Sequence, residues 1–228
     1  MIKPIAVIDY SVDGKSGALI KSWLNEPVEI ISVKENLPFP EVLPDNFRAL
    51  IHSGSSHSII IPTSFIVDAK RLVKSAITAK IPQMGICYGH QLLALATVGA
   101  SGVARSHSIE IGWQSLNFLE AWPSEEVSGS HKVWESHYDC VVEVPKGSKI
   151  TATNAHTEIQ AFVNKDLKLF GTQFHPEFNL ENGNKAFRDD IETLEKNNVK
   201  LEEALTSNLD PIPGNFVFSD FLTMYGVE

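Results

Sequence analysis

Short apolar runs alternate with amphipathic stretches along the first third of the chain. Residues 5–10, 28–33 and 49–53 are rich in Ile, Val and Ala and have the length of buried strands. Residues 16–23 lie between the first two runs and predict a helix. Strands that alternate with helices favour a parallel sheet with crossover helices.

A second helix is predicted over residues 64–80, before a buried strand at residues 81–86. Its apolar positions recur at intervals of three and four residues, which places them on one face of a helix. They are Ile66, Ala69, Val73, Ala76 and Ile77.

The pattern changes after residue 110, where strand-like pieces follow one another without predicted helices between them. Clusters of Gly, Pro, Ser and Asn separate these pieces, which favours antiparallel or mixed pairing. The pieces are residues 110–116, 131–138, 149–154, 159–165 and 168–174.

These patterns predict an α/β fold with an open, mostly parallel central sheet flanked by helices and a mixed or antiparallel β portion. The chain has 228 residues, of which 43% are hydrophobic. That is enough for one domain spanning residues 1–228 and leaves no room for a second catalytic domain. Beyond the strands, residues 181–205 predict a strongly charged helix, and residues 210–214 predict a break before a terminal segment at 216–225.

Charge and composition narrow the classes of partner. The formal net charge is −9, and the sequence contains no basic cluster that could neutralise a run of phosphates. Nucleic acid is therefore not expected as a partner. The N-terminus lacks the features of a signal peptide, and no apolar run reaches the roughly 18 residues of a membrane span. We therefore expect a cytoplasmic protein without a membrane partner, in which Cys87 and Cys140 serve chemistry or burial rather than a disulfide.

A candidate nucleophile lies where a buried strand meets a helix. Gly85, Cys87 and Gly89 form a G-x-nucleophile-x-G pattern, which is typical of a sharp strand-to-helix turn that exposes the nucleophile. The helix that follows places the positive end of its dipole near the sulfur and favours the thiolate. Taken alone, a cysteine at this turn is equally compatible with a small buried hydrophobic residue.

A histidine and a carboxylate follow a second apolar strand. His175 can accept the thiol proton, and Glu177 can orient the imidazole and stabilise its charged form. A lone histidine after a strand is more often structural, so the pairing with the cysteine turn is what favours catalysis.

Two segments, GICYGHQLLA at residues 85–94 and GTQFHPEF at residues 171–178, resemble the two signatures of the class I glutamine amidotransferase family. The likeness extends from residue 5 to about residue 178. EIGW at residues 110–113 and SHYD at residues 136–139 further resemble the amidotransferase domain of GMP synthetases. The resemblance implies that Cys87 is the nucleophile, His175 the base and then the acid, and Glu177 the orienting carboxylate.

The resemblance also implies an oxyanion hole and substrate contacts. The N–H of Tyr88 would be one oxyanion donor, and the other would come from a loop that reads Ser-Gly-Gly-Pro in the family. This chain has Gly54 followed by Ser55 and another serine, and losing one donor would lower the rate about 10²–10³-fold. The glutamine-binding candidates are Gln91, which corresponds to a substrate-gripping glutamine, together with Ser136 and His137.

Metal and organic cofactors are not expected. No pair of the eight histidines has the i, i+4 spacing with a nearby carboxylate that marks a metalloenzyme helix. The triplet Gly14-Lys15-Ser16 lacks the upstream glycine of a phosphate-binding loop, since position 9 is aspartate.

Three functions remain open at this point. The first is hydrolysis of the glutamine side-chain amide through a γ-glutamyl thioester on Cys87, with ammonia passing to a separate synthase subunit or to none. The second is hydrolysis of other γ-glutamyl amides or peptides by the same triad. The third is a non-catalytic or partner-dependent regulatory role, suggested by the serines of the oxyanion loop.

Overall fold

A single open sheet of nine strands forms the centre of the computed structural model, within the residues that it describes, 2–207 and 214–227. The strand order is β2-β1-β3-β4-β9-β8-β7-β5-β6. The strands are β1 (Ile5–Asp9), β2 (Val28–Ser32), β3 (Ala49–His52), β4 (Gln83–Ile86), β5 (Val103–Phe118), β6 (Gly129–Val141), β7 (Lys149–Thr153), β8 (Ala161–Asn164) and β9 (Leu169–Thr172).

The first half of the sheet is parallel, as the alternation of strands and helices predicts. Strands β2, β1, β3, β4 and β9 pair in parallel, and the connecting helices are α1 (Ser16–Ser22), α2 (Ile66–Thr78) and α3 (Tyr88–Thr97). Every residue of β1, β3 and β4 is buried, which explains why these strands are continuous apolar runs.

The second half is antiparallel. The long hairpin of β5 and β6 continues through β7 and β8 to β9, so the described sheet has four parallel and four antiparallel pairings. The predicted open α/β fold is confirmed, although the sheet is evenly mixed rather than mostly parallel. The share of parallel and antiparallel pairing could not be predicted from the sequence, because β5 and β6 extend well beyond the apolar segments that predict them.

Helices cover both faces of the sheet. One apolar cluster contains Ile5, Met84 and Phe170 and is closed by α7 (Gly214–Met224), and the other contains Ile8 and Leu92 and is closed by α2 and α3. No helix in the described ranges has both the length and the apolar composition needed to cross a bilayer.

The charged region after β9 forms three short helices instead of the single helix predicted. They are α4 (Leu180–Asp189), α5 (Ile191–Lys196) and α6 (Leu201–Ala204). Phe187, Leu194 and Ala204 project from them into a third apolar cluster against Trp113 and Trp134 of the β5–β6 hairpin. The predicted break at 210–214 lies outside the described residues except for its last position.

Candidate active site

Cys87 occupies the turn between β4 and α3 in a backbone conformation that L-residues rarely adopt. Its φ is 49° and its ψ is −104°, and its N–H donates to the carbonyl of Thr172 at 2.8 Å. Such strain is typical of functional sites, where the surrounding structure holds it. Packing explains both flanking glycines, since a Cβ on Gly85 or Gly89 would lie 2.4 or 2.2 Å from a backbone oxygen.

Strand β9 brings His175 to this turn. Its last residue, Thr172, pairs with Ile86 at the end of β4, and the chain then crosses to the hairpin, where the N–H of His175 donates to the carbonyl of Trp134 at 3.0 Å. His175 Nδ1 lies 2.8 Å from Oε1 of the fully buried Glu177. The structure thus brings Cys87, His175 and Glu177 into one chain of contacts.

The charge of His175 is strongly favoured at this position. Burial alone lowers the pKa of an imidazole, but the Glu177 carboxylate and the contact with Cys87 outweigh it and raise the pKa of His175 well above its ordinary value. The Trp134 ring packs edge-on against the imidazole with ring centroids 4.9 Å apart. A protonated imidazole beside the sulfur is the arrangement in which a cysteine is activated as a nucleophile.

The loop after β3 lies over the triad. A Cβ on Gly54 would lie 2.7 Å from Cε1 of His175, so any other residue at this position would displace the imidazole. Ser55 donates its hydroxyl to the carbonyl of Tyr10 at 2.9 Å, and its φ is not in the left-handed region. Ser55 is therefore accommodated without backbone strain, and Tyr88 begins α3 directly after Cys87.

A cavity of about 430 Å³ opens on the triad. Gly54, Ser55, Ser136 and His175 line it, together with residues of the loop after β1. Gln91 does not line it: this side chain is buried, and its amide donates to the carbonyl of Asp139 at 2.7 Å and to Oε1 of Gln173 at 3.1 Å.

His137 also faces away from the cavity, into a buried polar cluster that sequence reasoning missed. Its Nδ1 lies 3.1 Å from the carbonyl of Asp139, and its Nε2 lies 3.0 Å from Glu110 and 3.5 Å from Glu135. Glu110 and His137 belong to the EIGW and SHYD segments, but only the pairing of β5 with β6 brings their side chains together.

The two carboxyl groups of this cluster have opposite environments. Burial raises the pKa of Glu135 well above its ordinary value, and the neighbouring Glu110 adds to the rise. Burial also opposes charge on Glu110, but the hydrogen bond and charge of His137 lower its pKa overall. Glu135 therefore holds a proton more strongly than Glu110 does.

The same three residues are the candidate metal ligands among the described residues, since their donor atoms all lie within 4.8 Å of one another. Both carboxylate oxygens of Glu110 already accept hydrogen bonds, however. Its Oε2 accepts from Thr157 at 3.0 Å and from Gln160 at 2.9 Å, and its Oε1 accepts from Asn154. We therefore interpret Glu110 and His137 as members of a hydrogen-bonded network, beside which neither carboxyl oxygen of the buried Glu135 has a hydrogen-bond partner among the described residues.

Asp139, whose role was also not predicted from the sequence, links the loop after β3 to the β5–β6 hairpin. Its Oδ2 accepts from the Ser58 hydroxyl at 2.5 Å and from the N–H of Ile59 at 3.0 Å, while Oδ1 pairs with Arg105 at 3.0 Å. The loop that carries Gly54 and the strand that carries Ser136 are thus held together.

Comparison of the sequence with known protein families shows to which family the chain belongs. Residues 18–192 match the family described as "Glutamine amidotransferase class-I". The chain belongs to this family. The resemblance stated from the two signature segments is confirmed.

Sequence relatives of this chain include GMP synthases and their separate subunits. A glutamine-hydrolyzing GMP synthase subunit of Sulfolobus acidocaldarius is 35% identical over 66% of this chain and 78% of its own length. The corresponding subunit of Saccharolobus solfataricus is 34% identical over 73% of this chain and 85% of its own. The GMP synthase of a Parafrankia species is 35% identical over 76% of this chain. The aligned part covers only 31% of that longer protein.

Solved structures of amidotransferases have the same fold. A glutamine amido transferase from Methylobacillus flagellatus has a TM-score of 0.72 at 20% identity, covering 99% of this chain and 91% of its own. A glutamine amidotransferase from Thermotoga maritima has a TM-score of 0.70 at 18% identity, covering 100% and 95%. The α/β fold is therefore that of known members of this enzyme family.

Proposed function

We propose that this chain hydrolyses the side-chain amide of glutamine through a γ-glutamyl thioester on Cys87. The observation that carries the proposal is the contact chain of Cys87, His175 and Glu177, set beneath the glycine loop of a class I amidotransferase. No metal or organic cofactor takes part in this scheme.

The first half of the reaction forms the thioester. The Cys87 sulfur attacks the γ-carbonyl carbon and makes a C–S bond, and the oxygen takes the negative charge. The N–H groups of Tyr88 and of the loop at Ser55 stabilise that oxyanion. His175 gives its proton to the departing nitrogen as the C–N bond breaks, so ammonia leaves.

The second half releases the product. His175, now neutral, accepts a proton from water while the water oxygen attacks the thioester carbon. The C–S bond breaks, glutamate is released, and the sulfur returns as the thiolate beside a protonated His175. Glu177 holds the imidazole in place through both halves.

Ser136 at the cavity wall is proposed to contact the amino-acid end of the substrate. Gln91 and His137 are proposed to support that wall from behind, because both contact the carbonyl of Asp139 in the same strand. Two relatives are named as separate subunits of GMP synthase, which favours delivery of the ammonia to a separate synthase subunit in this protein too.

The test is the release of ammonia and glutamate from glutamine by purified protein, measured beside Cys87→Ala and Cys140→Ala. We expect turnover that is abolished in Cys87→Ala and retained in Cys140→Ala, because Cys140 lies apart from the triad against the carbonyl of Ala104. Equal activity in Cys87→Ala and the unsubstituted protein would refute the thioester. Stimulation by an added synthase subunit would test the partner separately.

A second candidate, the hydrolysis of larger γ-glutamyl amides, is favoured by the size of the space beside the triad, since the triad cavity alone measures about 430 Å³.

A further inference from the structure

The triad cavity continues into a second, larger cavity between α1 and α4. We call this second cavity the α1–α4 groove, and its volume is about 660 Å³. Space on this scale suits ligands well beyond the size of glutamine, since pockets for drug-sized molecules measure roughly 300–1,000 Å³. The two cavities share five lining residues, Asp13, Ser16, Trp134, Ser136 and Phe178.

The groove meets the triad cavity away from the groups that act on the amide. Gly54 and Ser55, in the loop after β3, line the triad cavity but not the groove, and the same is true of His175. In the proposed reaction this loop stabilises the oxyanion and His175 protonates the departing nitrogen. A substrate whose amide lies against these groups presents to the groove the part that is farthest from the amide, which is its amino-acid end.

Ser136 connects that end of the substrate with the groove. It follows Trp134 by two positions on β6, so the two side chains lie on one face of the strand, and both line the triad cavity and the groove. Ser136 is also the residue proposed to contact the amino-acid end of glutamine. A group attached at that end would therefore pass Ser136 and enter the groove, whereas free glutamine leaves the groove empty.

The wall that the two cavities share is aromatic. Trp134 stacks on Phe178 with ring centroids 4.3 Å apart and on Phe187 with centroids 4.7 Å apart. Leu19 and Ala186 add apolar surface from the two helices. A flat or apolar group would bury surface here, and aromatic pairs add a further preference.

The charges at the groove distinguish the two positions at which the amino-acid end can be extended. Three carboxylates and two lysines line the groove, and both lysines are paired, Lys15 with Asp13 at 3.2 Å and Lys185 with Asp189. This excess of negative charge favours a cationic ligand over an anionic one. Extension at the α-carboxyl removes the carboxylate and keeps the ammonium, whereas extension at the α-amine does the reverse. The charges therefore favour extension at the α-carboxyl.

We propose that the α1–α4 groove is a subsite for an aromatic or apolar group joined to the α-carboxyl of glutamine. The substrate class is then glutamine α-amides, including peptides that begin with glutamine followed by an aromatic residue. This inference rests on the proposed function, because the same Cys87 attacks the γ-carbonyl. The γ C–N bond breaks as in glutamine hydrolysis, ammonia leaves with the proton from His175, and water releases the glutamate α-amide, whose α-amide bond stays intact.

The experiment compares two substrates that differ only by a phenyl ring, glutamine α-ethylamide and glutamine α-phenethylamide, with glutamine alongside. Ammonia release gives kcat/KM for each. Glutamine α-amides also lose ammonia by spontaneous cyclisation, so the rate with Cys87→Ala is subtracted and the glutamate α-amide is identified by mass. We expect the phenethylamide to be preferred over the ethylamide by roughly tenfold or more, the scale that apolar pocket contacts provide.

Two further substrate pairs test where the phenyl group must be attached. The first pair is γ-glutamyl-ethylamide and γ-glutamyl-phenethylamide, which carry the group on the departing nitrogen, and the released amine is measured. The second pair is N-acetylglutamine and N-phenylacetylglutamine, which carry it on the α-amine. We expect a ratio near one within each pair, and a larger phenyl preference in either pair than in the α-carboxyl pair would overturn the assignment.

Two substitutions fill the groove from opposite walls, Ala186→Phe on α4 and Leu19→Trp on α1. Each should lower the α-phenethylamide-to-α-ethylamide ratio toward one. The matched control is Ala18→Phe, an exposed position on α1 that lines neither cavity, and it should leave the ratio unchanged. Using two walls guards against one substitution that fails to fold.

The outcomes separate this inference from the proposed function. Hydrolysis of glutamine with no turnover of the α-amides, or with an α-amide ratio near one, would overturn the subsite and leave the proposed function standing. The same conclusion follows if neither groove-filling substitution changes the ratio. Inactivity on every substrate would count against the proposed function, and calorimetry with Cys87→Ala then tests the groove alone: equal affinity for both α-amides would overturn the subsite, and tighter α-phenethylamide binding would support it.

Discussion

Replacing Gly54 by alanine should disable the site while leaving the fold intact. The new Cβ would lie 2.7 Å from Cε1 of His175, whereas ordinary contact begins near 3.4 Å. The imidazole would have to move by 3.4 − 2.7, or about 0.7 Å. Two contacts oppose that movement: Nδ1 is hydrogen-bonded to Glu177 at 2.8 Å, and the Trp134 ring packs against the imidazole.

A displacement of that size at the proton-transfer group has a predictable cost. Misplacement by about 1 Å can lower a rate about 10²-fold, so we expect a fall in kcat/KM for glutamine of roughly 10- to 100-fold. Stability should change little, because the φ of Gly54 lies outside the left-handed region and alanine restricts the unfolded chain by only about 0.4–1 kcal/mol.

The assay is ammonia release, with urea unfolding measured on the same preparations. The control is Ser55→Ala, which removes the hydroxyl bonded to Tyr10 but adds no atom beside His175. We expect the control to retain activity within about threefold, as a net hydrogen bond contributes only about 1 kcal/mol. Full activity in Gly54→Ala, or equal losses in both variants, would show that crowding of His175 is not the cause.

The same geometry supports three more predictions. Glu177→Gln keeps the shape of the side chain but removes the charge that raises the pKa of His175. We therefore expect kcat to fall about 10²-fold or more and the pKa of His175, followed by NMR, to drop. An unchanged pKa of His175 would contradict this prediction. Glu135 has a pKa above its ordinary 4.5, so the native state keeps a proton that the unfolded state loses, and stability falls as pH rises above 4.5, by up to about 1.4 kcal/mol per pH unit. In urea unfolding, Glu135→Gln should therefore gain stability over the unsubstituted protein between pH 5 and 8, and a difference that does not vary with pH would refute it. Gly89→Ala places a Cβ 2.2 Å from the carbonyl oxygen of His52 and should cost about 3 kcal/mol or more, so a native melting temperature would rule out the clash.

The segments around Cys87 and His175 could be recognised in the sequence because their signals are local. The glycines around Cys87 and the strand before His175 each fix a short stretch of backbone, and a parallel sheet brings the ends of neighbouring strands to one edge. The face of a strand, by contrast, depends on its partners. Residues 134–139 alternate between cavity and interior, so Ser136 lines the cavity while His137 points into the buried cluster. Nothing in the sequence of that strand alone determines which set of side chains faces the cavity.

The role of the charged region after β9 could not be predicted from the sequence, because this region packs against aromatic residues that are far away in the chain. Helix α4 approaches the two tryptophans of the hairpin most closely at Gly183, where a Cβ would lie 2.7 Å from atoms of both Trp113 and Trp134. The carbonyl of Gly183 accepts from the Trp134 indole at 3.1 Å, and the Trp134 carbonyl in turn accepts from the N–H of His175. Helix α4 therefore connects to the His175 backbone through one tryptophan. Its polar, charged face marks it as a surface helix, while its few small and aromatic residues hold Trp134, which in turn contacts His175.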